Sequence, residues 1–389
     1  MKKIYYITAV FATLFLVGCG DGIDLPGVNV ETDLNKIPLP DNNVNLEQVE
    51  LKPSTEPMLH EGLHTEEDFQ RIRDKKAAGE EPWVSAYQLL VESQFSQKTA
   101  DTYPTEWIKR GVSGDENYMN AARGATIAYQ QALRWKIEQD DEYAAKAVEN
   151  LNKWVQTCVG VTGNTNLSLA AGLYGYEFAI AGELLRDYEG WDRADFAAFQ
   201  NWLLKVFYPA NDDFLKRHHD TNALHYWANW CLCNIAAKMA IGIVTDRRDI
   251  YNEGIDHLQT GDTNGRLRRA IYHDYAPDYN FAQWQESGRD QGHTLMCVGL
   301  MGVICQLAWS QGDDFFAYDD NLFMRACEYA ACCNYTNETV PYTTYIWQKQ
   351  SQWGYPIPEE QTTLGGGKWI KRAIWALPLS LIHISEPTR

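Results

Sequence analysis

From about residue 117 to residue 334 the chain repeats one pattern: ten to twenty-five residues with apolar positions at helical spacing, then a short break rich in Gly, Asp, Asn or Pro. That repetition leaves few folds open, because amphipathic helices joined by short links must pack as antiparallel neighbours. The spacing predicts helices over roughly 117–138, 142–157, 167–187, 192–206, 220–243, 247–259, 285–311 and 319–334. Upstream, Thr65-Glu66-Glu67-Asp68 has the form of a capping box. Pro82 suits the first turn of a further helix. Hairpin signals are nearly absent, apart from a short ribbon expected in "TVPYTTYIW". No strict repeat is visible, so the one-off loops favour a single all-α domain, an incomplete α/α toroid of helical hairpins, over a solenoid.

The ends read differently. "MKKIYYITAVFATLFLVGCG" has two lysines, an apolar stretch too short for a confident transmembrane span, and Leu16-Val17-Gly18-Cys19. Leu-Val-Gly-Cys resembles a bacterial lipobox. Residues 1–19 are therefore expected to be a lipoprotein signal with Cys19 the lipidated residue, placing the protein in the cell envelope. Residues 20–57 are rich in Asp, Asn and Pro and read as a flexible tether. Residues 58–379 form the expected domain. The closing "SLIHISEPTR", 380–389, resembles translated adaptor sequence rather than a natural terminus.

A net charge of −18 argues against nucleic-acid partners and against wide adhesion to anionic membranes beyond the lipid anchor. Of nine cysteines, eight lie outside the lipobox, mostly within apolar stripes. Neither Cys-x-Cys nor Cys-Cys has zinc spacing, so free buried thiols and no metal or cofactor are expected.

Two segments break their own apolar pattern. In "QESGRDQGHTLMCVGLMGVICQLAW", Glu286, Arg289, Asp290 and His293 stand at i, i+3, i+4 and i+7, the row continued by Cys297, Leu300, Ile304 and Leu307. In "TNALHYWANWCLCNIAAKMA", Asn222, His225, Tyr226 and Asn229 fall at the same spacing, beside Trp227 and Trp230. Charges on a core-facing row must have partners, since desolvation is costly. An internal ion-pair network and the floor of a cleft both satisfy that requirement, and the two rows are expected to line one cleft. Lys216, Arg217, His218, His219, Arg266, Arg268 and Arg269 cluster nearby, either as solvated surface or as a positive approach for an anion.

Three blocks, "MLHEGLHTEEDFQRIRDKKAAGEEPW", "NALHYWANW…AIGIVTDRRDIYNEGIDHL" and "ESGRDQGHTLMCVGLMGVICQLAW", together resemble the alginate-lyase superfamily of α/α-toroid polysaccharide lyases, and within it polysaccharide lyase family 38. The resemblance implies β-elimination on a uronic-acid polymer, alginate or glucuronan-like, by an exported bacterial lipoprotein; a monomer without a cofactor is expected. Abstracting the proton α to a carboxylate builds negative charge that positioned donors must hold. Asn222, His225 and Arg289 suit that task, and His293 suits a base or acid. Glu286 suits orienting Arg289 or His225, or contacting substrate. Tyr226, Trp230 and Trp284 offer substrate-binding surfaces.

The sequence departs from those relatives at one place. They carry an adjacent Asn-His pair before Tyr-Trp and a Tyr shortly after the Arg, whereas Asn222 and His225 are separated and no Tyr closely follows Arg289. A phenolic base would then come from Tyr226, Tyr342 or, favoured here, Tyr279. Two other classes stay open: a hydrolase using two opposed carboxylates, and a non-catalytic glycan binder using Trp284, Trp347 and Trp353.

Overall fold

A computed structural model of the protein describes residues 55–351, 353–372 and 374–375; the expected signal with Cys19, nearly all of the tether and the 380–389 segment lie outside the described residues. In chain order the helices are α1 (Glu66–Ala77), α2 (Trp83–Glu92), α3 (Tyr118–Glu138), α4 (Asp141–Thr157), α5 (Leu167–Leu184) and α6 (Arg193–Val206). They continue with α7 (Tyr208–Arg217), α8 (Ala228–Val244), α9 (Arg248–Thr260), the one-turn α10 (Leu267–Ala270), α11 (Gln291–Ser310) and α12 (Tyr318–Tyr335). Three two-stranded ribbons accompany them. β1 (Trp107–Arg110) runs parallel to β2 (Gly160–Gly163), while β3 (Ile271–Asp274) with β4 (Ala282–Trp284) and β5 (Tyr345–Gln350) with β6 (Pro356–Gln361) are antiparallel.

Patterning decides the layer. Helices α5, α8 and α11 are apolar on all sides and bury nearly every residue, as an inner layer requires. Helices α4, α6 and α9 bury one face and expose the other, and they pack outside α3, α5 and α8. Successive inner helices touch one another, α3 with α5, α5 with α8 and α8 with α11. The result is the expected α/α toroid. At Gly172 the inner helices meet so closely that a Cβ would stand 2.5 Å from Cys233 Sγ. The capping box at Thr65 forms as its sequence indicates. All eight cysteines within the described residues are free, and seven are buried.

The inner helices point the same way, which gives the ring two unlike mouths. One is crossed by residues 56–62. Gln311, after α11, exchanges hydrogen bonds with the Leu59 and Glu61 backbone, and His60 meets Asp246 beyond α8 at 2.9 Å. The N-termini of α8 and α11 share the opposite mouth, where helix dipoles favour anions.

Helix α7 occupies a stretch where no helix was expected, and two helix starts lie well off their expected positions in ways that matter for the site. Helix α8 starts at Ala228, not 220, and α11 at Gln291, not 285. His218, His219 and Asp220 have φ of 52°, 53° and 59°, which stops the chain turning helically there. Asp290 takes extended backbone and caps α11 by accepting the His293 N–H at 2.8 Å. Asn222, His225 and Tyr226 therefore lie on a loop, and Glu286 lies in a 3₁₀ turn, Gln285–Gly288. The two polar rows are not helical faces.

Candidate active site

The two segments nevertheless meet. Helix α8 has no local side-chain cap at Trp227; its first two N–H groups are taken by the neighbouring turn instead. Ala228 N–H donates to Gln285 Oε1 at 3.0 Å and Asn229 N–H to Glu286 Oε1 at 3.2 Å. Glu286 is fully buried, and its other oxygen faces Arg289 Nη1 at 3.4 Å. A buried carboxylate is tolerable here because a helix N-terminus and a guanidinium both oppose its charge. Glu286 is thus walled off from any sugar; it holds Arg289 and is not a substrate contact. Arg289 also lies 3.9 Å from Asp290 Oδ2 and 5.3 Å above the Trp227 ring.

Asp290 does more than cap α11. Its Oδ2 sits 2.5 Å from His293 Nδ1 while Oδ1 receives the His293 N–H. An ionised carboxylate can only accept, so Nδ1 carries the proton and Nε2 is the basic nitrogen of His293. Burial pushes the Asp290 carboxyl up, but the His293 bond and charge and the Arg289 charge outweigh it, leaving its pKa below the usual value.

His225 is set the other way. Gln350 N–H donates to His225 Nδ1 at 2.8 Å, so the neutral ring carries its proton on Nε2 and acts as a donor. Burial, helped by the Lys349 charge, lowers its pKa to about 4. The ring stacks on Trp347 (6.0 Å between centroids), which stacks on Trp227 (4.6 Å) beneath Arg289. One continuous wall thus joins His225 to Arg289.

That wall is built by the segment after α12. The β5–β6 ribbon, which the sequence foreshadowed only in part, straps the 222–227 loop: Trp347 Nε1 donates to His225 O at 2.6 Å. Asn222 Nδ2 donates to Gln348 O (3.0 Å) and Gln350 Oε1 (2.9 Å), while its Oδ1 accepts Leu224 N–H. With its amide so committed, Asn222 positions the loop and is not disposed to grip a carboxylate. Tyr345 donates to Gln285 O and accepts Gly288 N–H. Gly365 lies flat on the backbone between Arg289 and Asp290, where a Cβ would come within 2.5 Å of Arg289 C.

Other expected residues fall elsewhere. Trp284 is fully buried on β4, its Nε1 donating to Ala326 O and its ring meeting Phe323, because a strand packed on α12 leaves it no route to solvent. It is core, not a sugar platform. Tyr279 is exposed and its ring contacts are Tyr275 and Phe281, with no contact to Arg289 or His293 among the described residues. Tyr342 stands nearer, its hydroxyl beside Gly288 while donating to Gln361 O. Tyr226 is buried against His225, Phe214 and Trp230, and Trp230 is half-buried in the same cluster. Much of the basic cluster is consumed by acids: Lys216 pairs with Asp212, Arg217 with Asp213 and Arg268 with Asp319. No group of three or more metal-ligating side chains occurs among the described residues.

Sequence reasoning missed Gln350 altogether; it set Trp227 beside its polar row without a role, and gave Trp347 only to a glycan binder. Asp290 as an N-cap was legible, since an Asp directly before a long apolar run is a start signal; the backbone donor from Gln350 left no signal at all.

The Arg289–Glu286 and Asp290–His293 contacts thus lie where α8 and α11 begin, at one mouth of a helical toroid. Residues 72–338, more than half of the chain, match the alginate lyase family, and the chain belongs to that family of polysaccharide lyases. Among solved structures it is similar to a histidine-to-alanine variant of alginate lyase A1-III complexed with tetrasaccharide, at TM-score 0.55 and 14% identity, covering 71% of this chain and 78% of that one. A tyrosine-to-phenylalanine variant of alginate lyase A1-III, also complexed with tetrasaccharide, gives TM-score 0.53 and 14% identity over 71% and 79%. An A1-III structure is described as from Sphingomonas species A1. At such identity the likeness concerns the fold. No curated protein matches the chain.

Proposed function

We propose that the protein cleaves a polyuronate, alginate or a glucuronan-like polymer, by β-elimination, with His293 as base. The observation that carries this reading is the Asp290–His293 pair beside Arg289, which supplies a basic Nε2 next to a cation in one turn of chain. Arg289 and the Nε2–H of His225 neutralise the uronate carboxylate, so that the C5 proton becomes acidic enough to remove. His293 takes that proton, the C4–O bond breaks, and a C4–C5 double bond forms. The departing oxygen is protonated by the histidinium or by solvent. No water is consumed.

A hydrolase would need two free opposed carboxylates. Glu286 is fully buried and Asp290 is bound to His293, which disfavours that reading. The Leu16–Cys19 motif supports export as a lipid-anchored envelope protein. The test is ultraviolet absorbance during incubation with a panel of polyuronates: elimination creates a conjugated chromophore, hydrolysis and binding do not. New reducing ends without that absorbance would refute the proposal.

A further inference from the structure

We infer that Lys349 is a second carboxylate-binding residue of the cleft, taking the uronate next to the one that reacts. The inference rests on the polyuronate reading above and assigns a residue to it. Strand β5 alternates, so Tyr345, Trp347 and Lys349 share one face. The first two of these already touch the site, Tyr345 at Gly288 and Trp347 at His225 and Trp227. Lys349 Nζ lies 5.8 Å from the Trp347 ring centroid and is close enough to His225 to oppose its protonation.

Most lysines among the described residues have an acidic partner, and Lys349 does not. This chain has 52 acidic residues against 34 basic ones, and Lys98, Lys109, Lys146, Lys153 and Lys238 all pair with carboxylates. Lys349 is half-buried and makes no ion pair among the described residues. The acid opposite Trp347 on the ladder, Glu359, is exposed and accepts the Gln361 amide at 3.4 Å instead. A half-desolvated ammonium without a counter-charge is unfavourable until an anion arrives. Arg289 lies over one member of the stacked Trp227–Trp347 pair and Lys349 over the other. Two cations beside that stack suit consecutive uronates, whose carboxylates project from the ring edges.

Calorimetric binding of an oligouronate to the full chain tests this directly, and it needs no turnover. Lys349→Met is expected to weaken binding about tenfold, a fold-change typical of one charge-assisted contact, while Lys349→Arg keeps it within twofold. On the methyl-esterified oligomer, wild type and Lys349→Met should bind alike, because the carboxylate is masked. Circular dichroism and the melting temperature confirm that both variants fold. Undiminished binding of the free-acid oligomer by Lys349→Met would overturn the inference, and so would an equal loss on the ester. A wild-type chain that binds oligouronates but forms no double bond would refute the elimination proposal while leaving the Lys349 result to stand.

Discussion

Asp290→Asn separates the tasks that one carboxylate performs. In the native protein Oδ1 caps α11 at the His293 N–H, and Oδ2 holds His293 Nδ1–H. Asparagine is as good a helix cap as aspartate, so its carbonyl should take over the first task at a cost of no more than about 1 kcal/mol. Its NH₂ group then points at Nδ1. Two donors cannot share a hydrogen bond, so the ring shifts its proton to Nε2 and the basic nitrogen is lost. The same tautomer exchange in a serine-protease triad costs roughly 10⁴ in turnover. With a solvated cleft and a less strictly enclosed histidine, about 10²–10⁴ is expected here, or about 3–5 kcal/mol of transition-state stabilisation. Initial rates of double-bond absorbance and the melting temperature should be measured on one preparation. Near-native melting with collapsed turnover supports the assignment. Turnover within threefold of wild type, with an unchanged pH profile, would refute His293 as base.

Three other outcomes follow from the geometry. Arg289→Lys retains a charge near Glu286 but loses the planar fork over Trp227, so turnover should fall a hundredfold or more, about 2–4 kcal/mol, with modest thermal destabilisation; a large drop in melting temperature at normal activity per folded molecule would mean a purely structural role. Glu177, whose pKa burial raises to about 8, is protonated in the fold at neutral pH while the unfolded chain ionises it; stability therefore falls as pH rises toward 8, and Glu177→Gln should stabilise by up to about 3 kcal/mol at pH 7. A variant no more stable than wild type at pH 8 contradicts that. Burial holds His64, His225 and His257 near pKa 4, below the ordinary 6.5, so each contributes stability above pH 6.5 that is lost as pH falls toward 4. Denaturant midpoints across that window should decline on acidification; a flat profile would show that these rings are hydrated.

Helix periodicity determined the toroid, because each apolar stripe can be satisfied only by another helix, and short links leave antiparallel packing as the solution. The same periodicity singled out Glu286, Arg289, Asp290, His293 and His225 as polar groups on apolar rows, yet it misread how they are placed. Spacing at i, i+3, i+4 and i+7 describes one face only if the residues are helical, and helix starts are set by whatever satisfies the first N–H groups. At α11 that is Asp290, local and legible. At α8 it is Gln285 and Glu286, 57 positions along the chain, and no local pattern could announce it. Trp284 illustrates the same limit: aromatic chemistry suits a sugar or a core equally, and only its packing under α12 decided for the core. Most decisively, the protonation of the two site histidines came from contacts of opposite kinds. His293 owes its basic Nε2 to a neighbour three residues away, which the sequence contains in plain view. His225 owes its Nε2–H to a backbone amide 125 residues distant, brought there by a ribbon whose partner strand the sequence did not reveal. A side chain's identity is written locally, but its tautomer depends on the nearest donor or acceptor in space, and that is a property of the fold alone.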